Sequence, residues 1–197
     1  MNFQEYKYLV LSDLYRIKEN ISFFSLSKEI LFGTLYKYNF WMRTCRFTRQ
    51  RPLLKFTIYP FASFMLKRYI FKYLISIPFS TKIGSGFFIS HFGCIVVNEK
   101  SVIGKNCNIA QGVTIGQVNR GKYKGFPVLG DNVYIGPGAK ILGSITIGDN
   151  VAIGANCVVT KDVPDNGVVV GVPSKVISYD GSIGYVNRID YDDLLKL

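Results

Sequence analysis

The chain has 197 residues, enough for one folded domain with a smaller appendage, and its 48% hydrophobic content with 19 glycines excludes a disordered chain. No apolar run reaches the roughly 18–20 residues that a membrane-spanning helix needs, and no signal peptide is recognisable, so we expect a cytoplasmic protein. The net charge of +11 is concentrated in residues 1–75, which hold 13 Lys and Arg against four acids and 19 of the aromatic residues.

This basic, aromatic segment has two interpretations. It is compatible with a small helical subdomain whose aromatic residues form a core and whose charges are solvated. It is also compatible with a surface for a membrane or an anionic glycan, which would place the protein at the inner face of the cytoplasmic membrane, although the first interpretation is favoured. No nucleic-acid-binding motif accompanies the charge, so we do not expect a nucleic acid as partner.

Residues 1–75 are predicted to form a helical N-terminal subdomain. Ser27 is a candidate helix cap with Glu29 in the first turn, and apolar residues follow at helical spacing. A further helical segment is predicted from Pro52 to Tyr73, and Pro60 is expected to break or kink it. Such a layer would cover the open strand edge of the region that follows.

Residues 76–177 carry a repeat of six, which fits neither a helix nor a simple alternating strand. Small or β-branched residues often lie two positions before the repeated aliphatic residue, and Gly or Asn supplies turns that need positive φ. This pattern predicts a triangular solenoid in which each hexad is one short strand and one corner. The longest unbroken series of aliphatic positions is Leu129, Ile135, Ile141, Ile147, Ile153 and Val159.

Two breaks interrupt the repeat, one around residues 95–97 and one at residues 117–128, and such breaks are where binding loops emerge. The four cysteines show no metal-ligand spacing, so no metal site is expected, and Cys107 and Cys157 are predicted to be buried as small apolar side chains. Residues 178–197 form a polar, acidic tail without hexads, which either packs along the solenoid or is mobile.

The chain contains one histidine, His91, and it lies at the first break in the repeat. Any enzyme that transfers a group to a hydroxyl needs a base that takes the hydroxyl proton as attack begins. Histidine is the side chain best suited to that role at neutral pH. His91 is therefore the candidate general base.

From Ile83 to Ile177 the chain resembles the serine O-acetyltransferases and their relatives that acetylate sugars of bacterial polysaccharides. The resemblance implies a mainly β fold, a left-handed parallel β-helix of hexapeptide repeats, assembled as a homotrimer with acyl-CoA sites between neighbouring β-helices. It also implies acetyl-CoA as co-substrate and His91 as the catalytic histidine. It rests on four segments: His91-Phe92-Gly93 followed by Ile95-Val96-Val97, Gln111 to Gly116, Gly136 to Gly143, and Gly171 to Lys175.

The acyl-CoA groove that the resemblance implies runs along the later coils. Lys161 and Lys175 are the candidate partners of the CoA phosphates, unless they are solvated charges on a β-helix face. The full set of candidate residues is Gln117, Pro137, Ala155, Thr160, Lys161, Pro173 and Lys175.

Three departures from the serine acetyltransferase pattern concern the acceptor. Ser76 and Ser90 replace aspartates of that family, and Phe126 stands in Gly-Phe-Pro where an Arg-His-Pro is usual. Binding of free serine needs a cation for its carboxylate and an anion for its ammonium. We therefore expect a neutral acceptor, a sugar hydroxyl of a surface polysaccharide or its precursor, bound by Ser90, Phe92, Asn98, Tyr123 and Phe126.

The group that orients His91 is left open between Glu99 and a backbone carbonyl. Serine O-acetyltransferase of cysteine biosynthesis is the alternative function, with Arg120 or Lys124 as replacement partners for the carboxylate. A γ-carbonic-anhydrase-like enzyme is excluded because its zinc site needs three histidines. A non-catalytic scaffold would leave the position of His91 and the CoA-type segments unexplained.

Overall fold

The computed structural model describes residues 1–19 and 21–195. Helices come first, at Phe3–Tyr15 (α1), Phe23–Leu31 (α2), Tyr36–Arg49 (α3), Pro52–Thr57 (α4) and Tyr59–Tyr73 (α5). Fifteen short strands follow over the described residues: Ile75–Ser76 (β1), Lys82–Ile83 (β2), Phe88–Ile89 (β3), Ile95–Val97 (β4), Val102–Ile103 (β5), Asn108–Ile109 (β6), Thr114–Gly116 (β7), Val128–Leu129 (β8), Tyr134–Ile135 (β9), Lys140–Leu142 (β10), Thr146–Ile147 (β11), Ala152–Ile153 (β12), Val158–Val159 (β13), Val168–Val170 (β14) and Lys175–Ser178 (β15).

The strands wind around a common core, and successive strands belong to three different sheets. Sheet 1 has the order β1-β4-β7-β10-β13, sheet 2 the order β11-β8-β5-β2, and sheet 3 the order β15-β14-β12-β9-β6-β3. Neighbouring strands pair in parallel except β14 and β15, which pair antiparallel. The predicted left-handed parallel β-helix with an N-terminal helical region is confirmed.

The hexads perform the structural roles that the sequence predicts. The repeated aliphatic residues are buried and stack in register; Ile135, for example, pairs with Ile109 on one side and Ile153 on the other. Cys107 and Cys157 are fully buried, as predicted. Turns between strands use the left-handed conformation at a series of asparagines, Asn106, Asn132, Asn150, Asn156 and Asn166, whose φ angles lie between 56° and 60°. Asparagine tolerates this conformation better than other residues with a side chain.

The helical layer covers the first coil and supplies hydrogen-bond partners to its backbone. The Tyr38 hydroxyl both donates to and accepts from the backbone of Ile77, at 2.9 and 3.0 Å. The Arg43 guanidinium donates to the carbonyls of Ile83 and Gly84 and pairs with the buried Asp13 at 3.0 Å. Without these side chains the first coil would bury backbone groups that lack partners.

The helix boundaries differ from the prediction at one place and agree at another. The prediction that Ser27 caps a helix is wrong: the helix begins at Phe23, where the Ser22 hydroxyl accepts from the Ser25 N–H at 3.0 Å. The predicted break at Pro60 is confirmed, since α4 ends at Thr57 and Pro60 lies in the first turn of α5. Among the described residues, no helix has the length and apolar character needed to cross a membrane.

The C-terminal tail packs along the β-helix as far as it is described, to residue 195. Tyr185 stacks on Tyr134 of sheet 3, with 4.5 Å between the ring centroids. Further on, Tyr191 is buried, and its hydroxyl donates to Asn106 Oδ1 at 2.6 Å. The tail therefore runs back along the solenoid towards α1. The division of the chain at residues 75 and 177 remains a prediction, although helices end at Tyr73 and the last strand ends at Ser178.

Candidate active site

His91 lies in the turn that leads from sheet 3 to sheet 1, between β3 and β4. The same corner is formed in later coils by residues 110–113, 136–139 and 154–157, and residues 171–174 follow the last sheet 3 strand; we call this edge the His91 corner. The turn at His91 needs two residues with positive φ, Gly93 at 118° and Cys94 at 52°. His91 is exposed, and its imidazole makes no hydrogen bond within the described chain. The base is thus presented to the outside of the solenoid.

The end of α5 supports the turn that carries His91. The rings of Phe92 and Tyr73 lie 5.5 Å apart, and Tyr73 stacks in turn on Tyr69 at 5.4 Å. Burial raises the pKa of the Tyr73 hydroxyl, so this ring stays neutral beneath Phe92. The Ile95 N–H donates to the Leu74 carbonyl at 3.1 Å and joins the two elements. The helical layer therefore positions the turn that carries His91 as well as covering the core.

The second functional edge is the loop corner, where the chain passes from sheet 1 to sheet 2. It contains residues 98–101, the excursion loop at residues 117–127, and residues 143–145 and 160–162. The excursion loop folds back on itself because Val118 and Gly125 exchange two backbone hydrogen bonds at 3.1 and 3.0 Å. Gly143 lies beneath the loop with φ at 94°, and a Cβ on it would come within 2.7 Å of the Tyr123 carbonyl oxygen. Only glycine lets the loop pack so closely.

A cleft of about 410 Å³ opens at the loop corner, and it contains both signs of charge. Glu99 provides a carboxylate, which accepts a hydrogen bond from the Ser80 hydroxyl at 2.7 Å. Two cations share the cleft: Lys82, and Lys100, whose ammonium lies 5.3 Å from the ring centroid of Phe126. The buried Ser101 hydroxyl, also in the lining, has no hydrogen-bond partner in the described part of the chain. The cleft can therefore match a small ligand that carries a carboxylate and an ammonium.

The structure separates the candidate residues into two groups rather than bringing them together. Glu99 and His91 lie at different corners, on either side of β4, so within one chain Glu99 does not reach the imidazole. The His91 corner holds Ser90, His91, Phe92, Pro137, Ala155 and Pro173, with Lys175 just beyond it in β15. The loop corner holds Asn98, Glu99, Gln117, Tyr123, Phe126, Thr160 and Lys161.

Two residues at these corners, Tyr73 and Lys82, were not among the candidates predicted from the sequence. Tyr73 supports Phe92 from the end of α5, and nothing in the hexad pattern could have revealed this contact because α5 lies outside the repeat. Lys82 lines the charged cleft although it is 17 positions before Glu99. Each coil contributes three strands, so β2, which begins at Lys82, lies one coil before β5, which follows Glu99. Both residues therefore flank the same corner in adjacent coils, and this count would have placed Lys82 at the cleft.

The sequence and the fold are similar to those of known proteins. The family described as bacterial transferase hexapeptide (six repeats) matches residues 126–161. A serine acetyltransferase of Synechococcus elongatus is 46% identical over 100 residues, which are 51% of this chain and 41% of that protein. The serine acetyltransferase of Neisseria gonorrhoeae, solved in complex with serine, has a TM-score of 0.68 and 30% identity, covering 89% of this chain and 70% of that one.

A third relative concerns the co-substrate. The structure of a Brucella abortus serine acetyltransferase in complex with coenzyme A has a TM-score of 0.70 and 28% identity, over 89% of this chain and 69% of that one. The protein thus has the parallel β-helix fold of these transferases. The chain belongs to the hexapeptide-repeat transferase family and has serine acetyltransferase homologues. It spans about half the length of the curated relatives it matches.

The comparisons overturn the prediction of a polysaccharide sugar as acceptor. That prediction depended on the absence of charged residues at the positions where serine acetyltransferases bind their amino acid. The relatives named above are serine acetyltransferases, at up to 46% identity. That reasoning did not consider the loop-corner cleft as a source of both charges, although its lining contains Lys82, Glu99 and Lys100.

Proposed function

We propose that this protein is an acetyl-CoA-dependent O-acetyltransferase whose acceptor is serine. The observation that carries the proposal is the cleft of the loop corner, where Glu99 lies with Lys82 and Lys100. A zwitterionic amino acid needs this combination, a carboxylate for its ammonium and a cation for its carboxylate. A neutral sugar needs neither. The serine complex of the gonococcal relative supports the same acceptor.

His91 acts as the general base in this proposal. The imidazole takes the proton from the serine hydroxyl as its oxygen attacks the thioester carbonyl carbon. The resulting tetrahedral species then collapses, the carbon–sulfur bond breaks, and the CoA thiolate leaves and takes the proton from the imidazolium. The products are O-acetylserine and free CoA. The exposed position of His91 on a turn fixed by Phe92 and Tyr73 supports this role, because the base must reach a substrate outside the solenoid.

The acetyl-CoA groove is proposed to follow the His91 corner. Pro137, Ala155 and Pro173 recur along this edge in successive coils, so that they form a row leading away from His91. Lys175 at the end of the row is exposed and suits a phosphate of CoA. The CoA complex of the Brucella relative supports acetyl-CoA as the donor. Gln117, Thr160 and Lys161 lie at the loop corner instead and would have to come from another copy.

A homotrimer resolves this separation. If the His91 corner of one copy faces the loop corner of the next, then the base, the charged cleft and the two halves of the CoA groove meet between them. Threefold cyclic symmetry closes such a head-to-tail contact into a ring and gives three identical sites. The single chain, by contrast, holds the base and the acceptor cleft on different edges.

The direct test is release of the CoA thiol from acetyl-CoA in the presence of different acceptors. We expect turnover with serine and much weaker turnover with ethanolamine, which keeps the hydroxyl and ammonium of serine but lacks its carboxylate. Simple sugars and an oligosaccharide panel serve as neutral acceptors. Turnover with a sugar and none with serine would contradict the acceptor, and failure to bind acetyl-CoA would contradict the enzyme class.

A further inference from the structure

The helix α5 has two faces of opposite character. One face is buried against the core of the protein through Ala62, Leu66, Tyr69 and Tyr73. The other contains side chains spaced by three, four or seven positions, which lie together on the outside of a helix. We call this side the basic aromatic face; it consists of Phe61, Phe64, Lys67, Arg68 and Phe71.

The basic aromatic face leaves large apolar side chains in contact with water. Phe61, Phe64 and Phe71 are 58%, 62% and 78% exposed. Exposed single apolar residues are ordinary, but a row of three phenylalanines along one helix is a surface that gains free energy when it is covered. The helix has 15 residues, a length of about 22 Å, so it is too short to cross a bilayer and can only lie on one.

The charge around this face selects the kind of partner. No Asp or Glu occurs in residues 30–98, whereas Lys55, Lys67, Arg68 and Lys72 lie on α4 and α5. The same face of a second copy would bring cations against cations, which opposes a symmetric contact between copies. A surface that combines aromatic side chains with Lys and Arg and lacks acids is complementary to anionic lipid headgroups.

We propose that the basic aromatic face of α5 docks the protein on an anionic phospholipid surface. The helix lies in the plane of the bilayer, with Phe61, Phe64 and Phe71 at the boundary between headgroups and acyl chains. Lys67 and Arg68 lie between these rings along the helix and contact the lipid phosphates. This inference goes beyond the proposed function and does not depend on it, because it concerns a different surface from the two corners.

The test is sedimentation of the full chain with lipid vesicles, comparing pure phosphatidylcholine with vesicles that contain about 30 mol% phosphatidylglycerol. We expect binding to the anionic vesicles to be at least about tenfold stronger, and to weaken when salt is raised from about 0.1 M to about 0.5 M. Trp41 is the only tryptophan of the chain and packs edge-on against Phe61 at 5.5 Å, so its fluorescence should shift to shorter wavelength with anionic vesicles only.

Two pairs of substitutions separate the contributions of the apolar and the basic side chains to vesicle binding. Phe64→Ser with Phe71→Ser, and separately Lys67→Gln with Arg68→Gln, should each lower binding to anionic vesicles about tenfold. The matched controls remove exposed side chains of the same kind elsewhere: Ile183→Ser with Leu194→Ser, and Lys7→Gln with Lys105→Gln. Both controls should bind as the unchanged protein does.

Three results would overturn the proposal. The first is equal binding, or none, to neutral and anionic vesicles. The second is a loss that is the same for the controls and for the substitutions in α5. The third combines two observations: the unchanged protein does not bind vesicles, and Phe64→Ser with Phe71→Ser changes the oligomeric mass measured by light scattering. This result would assign the face to a contact between copies. Acetyl transfer measured without vesicles should be unchanged in these variants, so failure of lipid docking and failure of the proposed function are distinguishable.

Discussion

The His91 corner and the loop corner flank the same sheet, yet they are built in different ways. Successive turns at the His91 corner are short and stack directly, as in the hydrogen bond from the Gly112 N–H to the Gly93 carbonyl at 2.7 Å. The loop corner carries the excursion loop and the cleft with Lys82, Glu99 and Lys100. One edge presents the exposed His91 on a short turn, and the other contains a cleft with charges of both signs. Within one chain the histidine and the charged cleft are therefore on separate edges.

The largest expected effect follows from removing the base. His91→Ala should lower turnover by about 10²–10⁴-fold while CoA affinity stays nearly unchanged, because the imidazole acts on the acceptor hydroxyl. The measurement is the rate of CoA thiol release, with CoA binding followed by calorimetry. An unchanged thermal midpoint serves as the control for folding. Retained activity in this variant would remove His91 from its role.

A smaller effect is expected at the loop corner. Glu99→Gln and Lys100→Gln should each raise the KM for serine about tenfold, because each removes one charge-assisted contact. KM for acetyl-CoA should change little in both. Lys105→Gln is the matched control, since Lys105 is also exposed but follows β5 at the third corner of the solenoid. An equal KM increase in the control, or none in the two cleft variants, would show that the cleft does not bind the acceptor.

The smallest effects are expected on the free energy of unfolding when a glycine at each of the two corners is replaced. Gly143→Ala should destabilise the fold by about 1–3 kcal/mol, because its φ is 94° and the new Cβ would lie 2.7 Å from a carbonyl oxygen. Gly112→Ala should cost less, since its φ is 72° and its nearest neighbour would be Gly138 Cα at 3.3 Å. Urea unfolding measures both free energies. Equal losses would mean that the excursion loop is not held by close packing on Gly143.

Much of the fold was predictable because the hexads encode it directly. Each buried aliphatic position from Leu129 to Val159 identifies one interior residue, and asparagines such as Asn132 mark turns that need positive φ. The helical layer was less predictable. Ser27 was the predicted cap, yet the helix begins after Ser22, because local propensity cannot choose between two serines when tertiary packing decides where a helix begins.

The candidate site was predictable only in part, for a geometric reason. His91 stood out as a lone histidine at a break in the repeat, and that required no three-dimensional information. The partners of the acceptor were sought at the family's usual positions, whereas the proposed partners Lys82 and Glu99 come together only because adjacent coils stack. Residues that share a corner of a solenoid come from different coils. Their positions in the sequence do not show that they are neighbours until each strand has been assigned to a sheet.

In the proposed trimer, one copy supplies His91 and its neighbour supplies the acceptor cleft. The most direct test mixes two proteins, His91→Ala and a chain with both Glu99→Gln and Lys100→Gln, after joint unfolding and refolding in equal amounts. Activity is measured at a serine concentration near the KM of the unchanged protein, where the raised KM leaves the second protein almost inactive. If sites form between copies, random trimers recover about a quarter of the original activity, because that share of interfaces pairs an intact base with an intact cleft. If each site lies within one chain, every chain carries a defect and the mixture stays inactive, which would contradict the account.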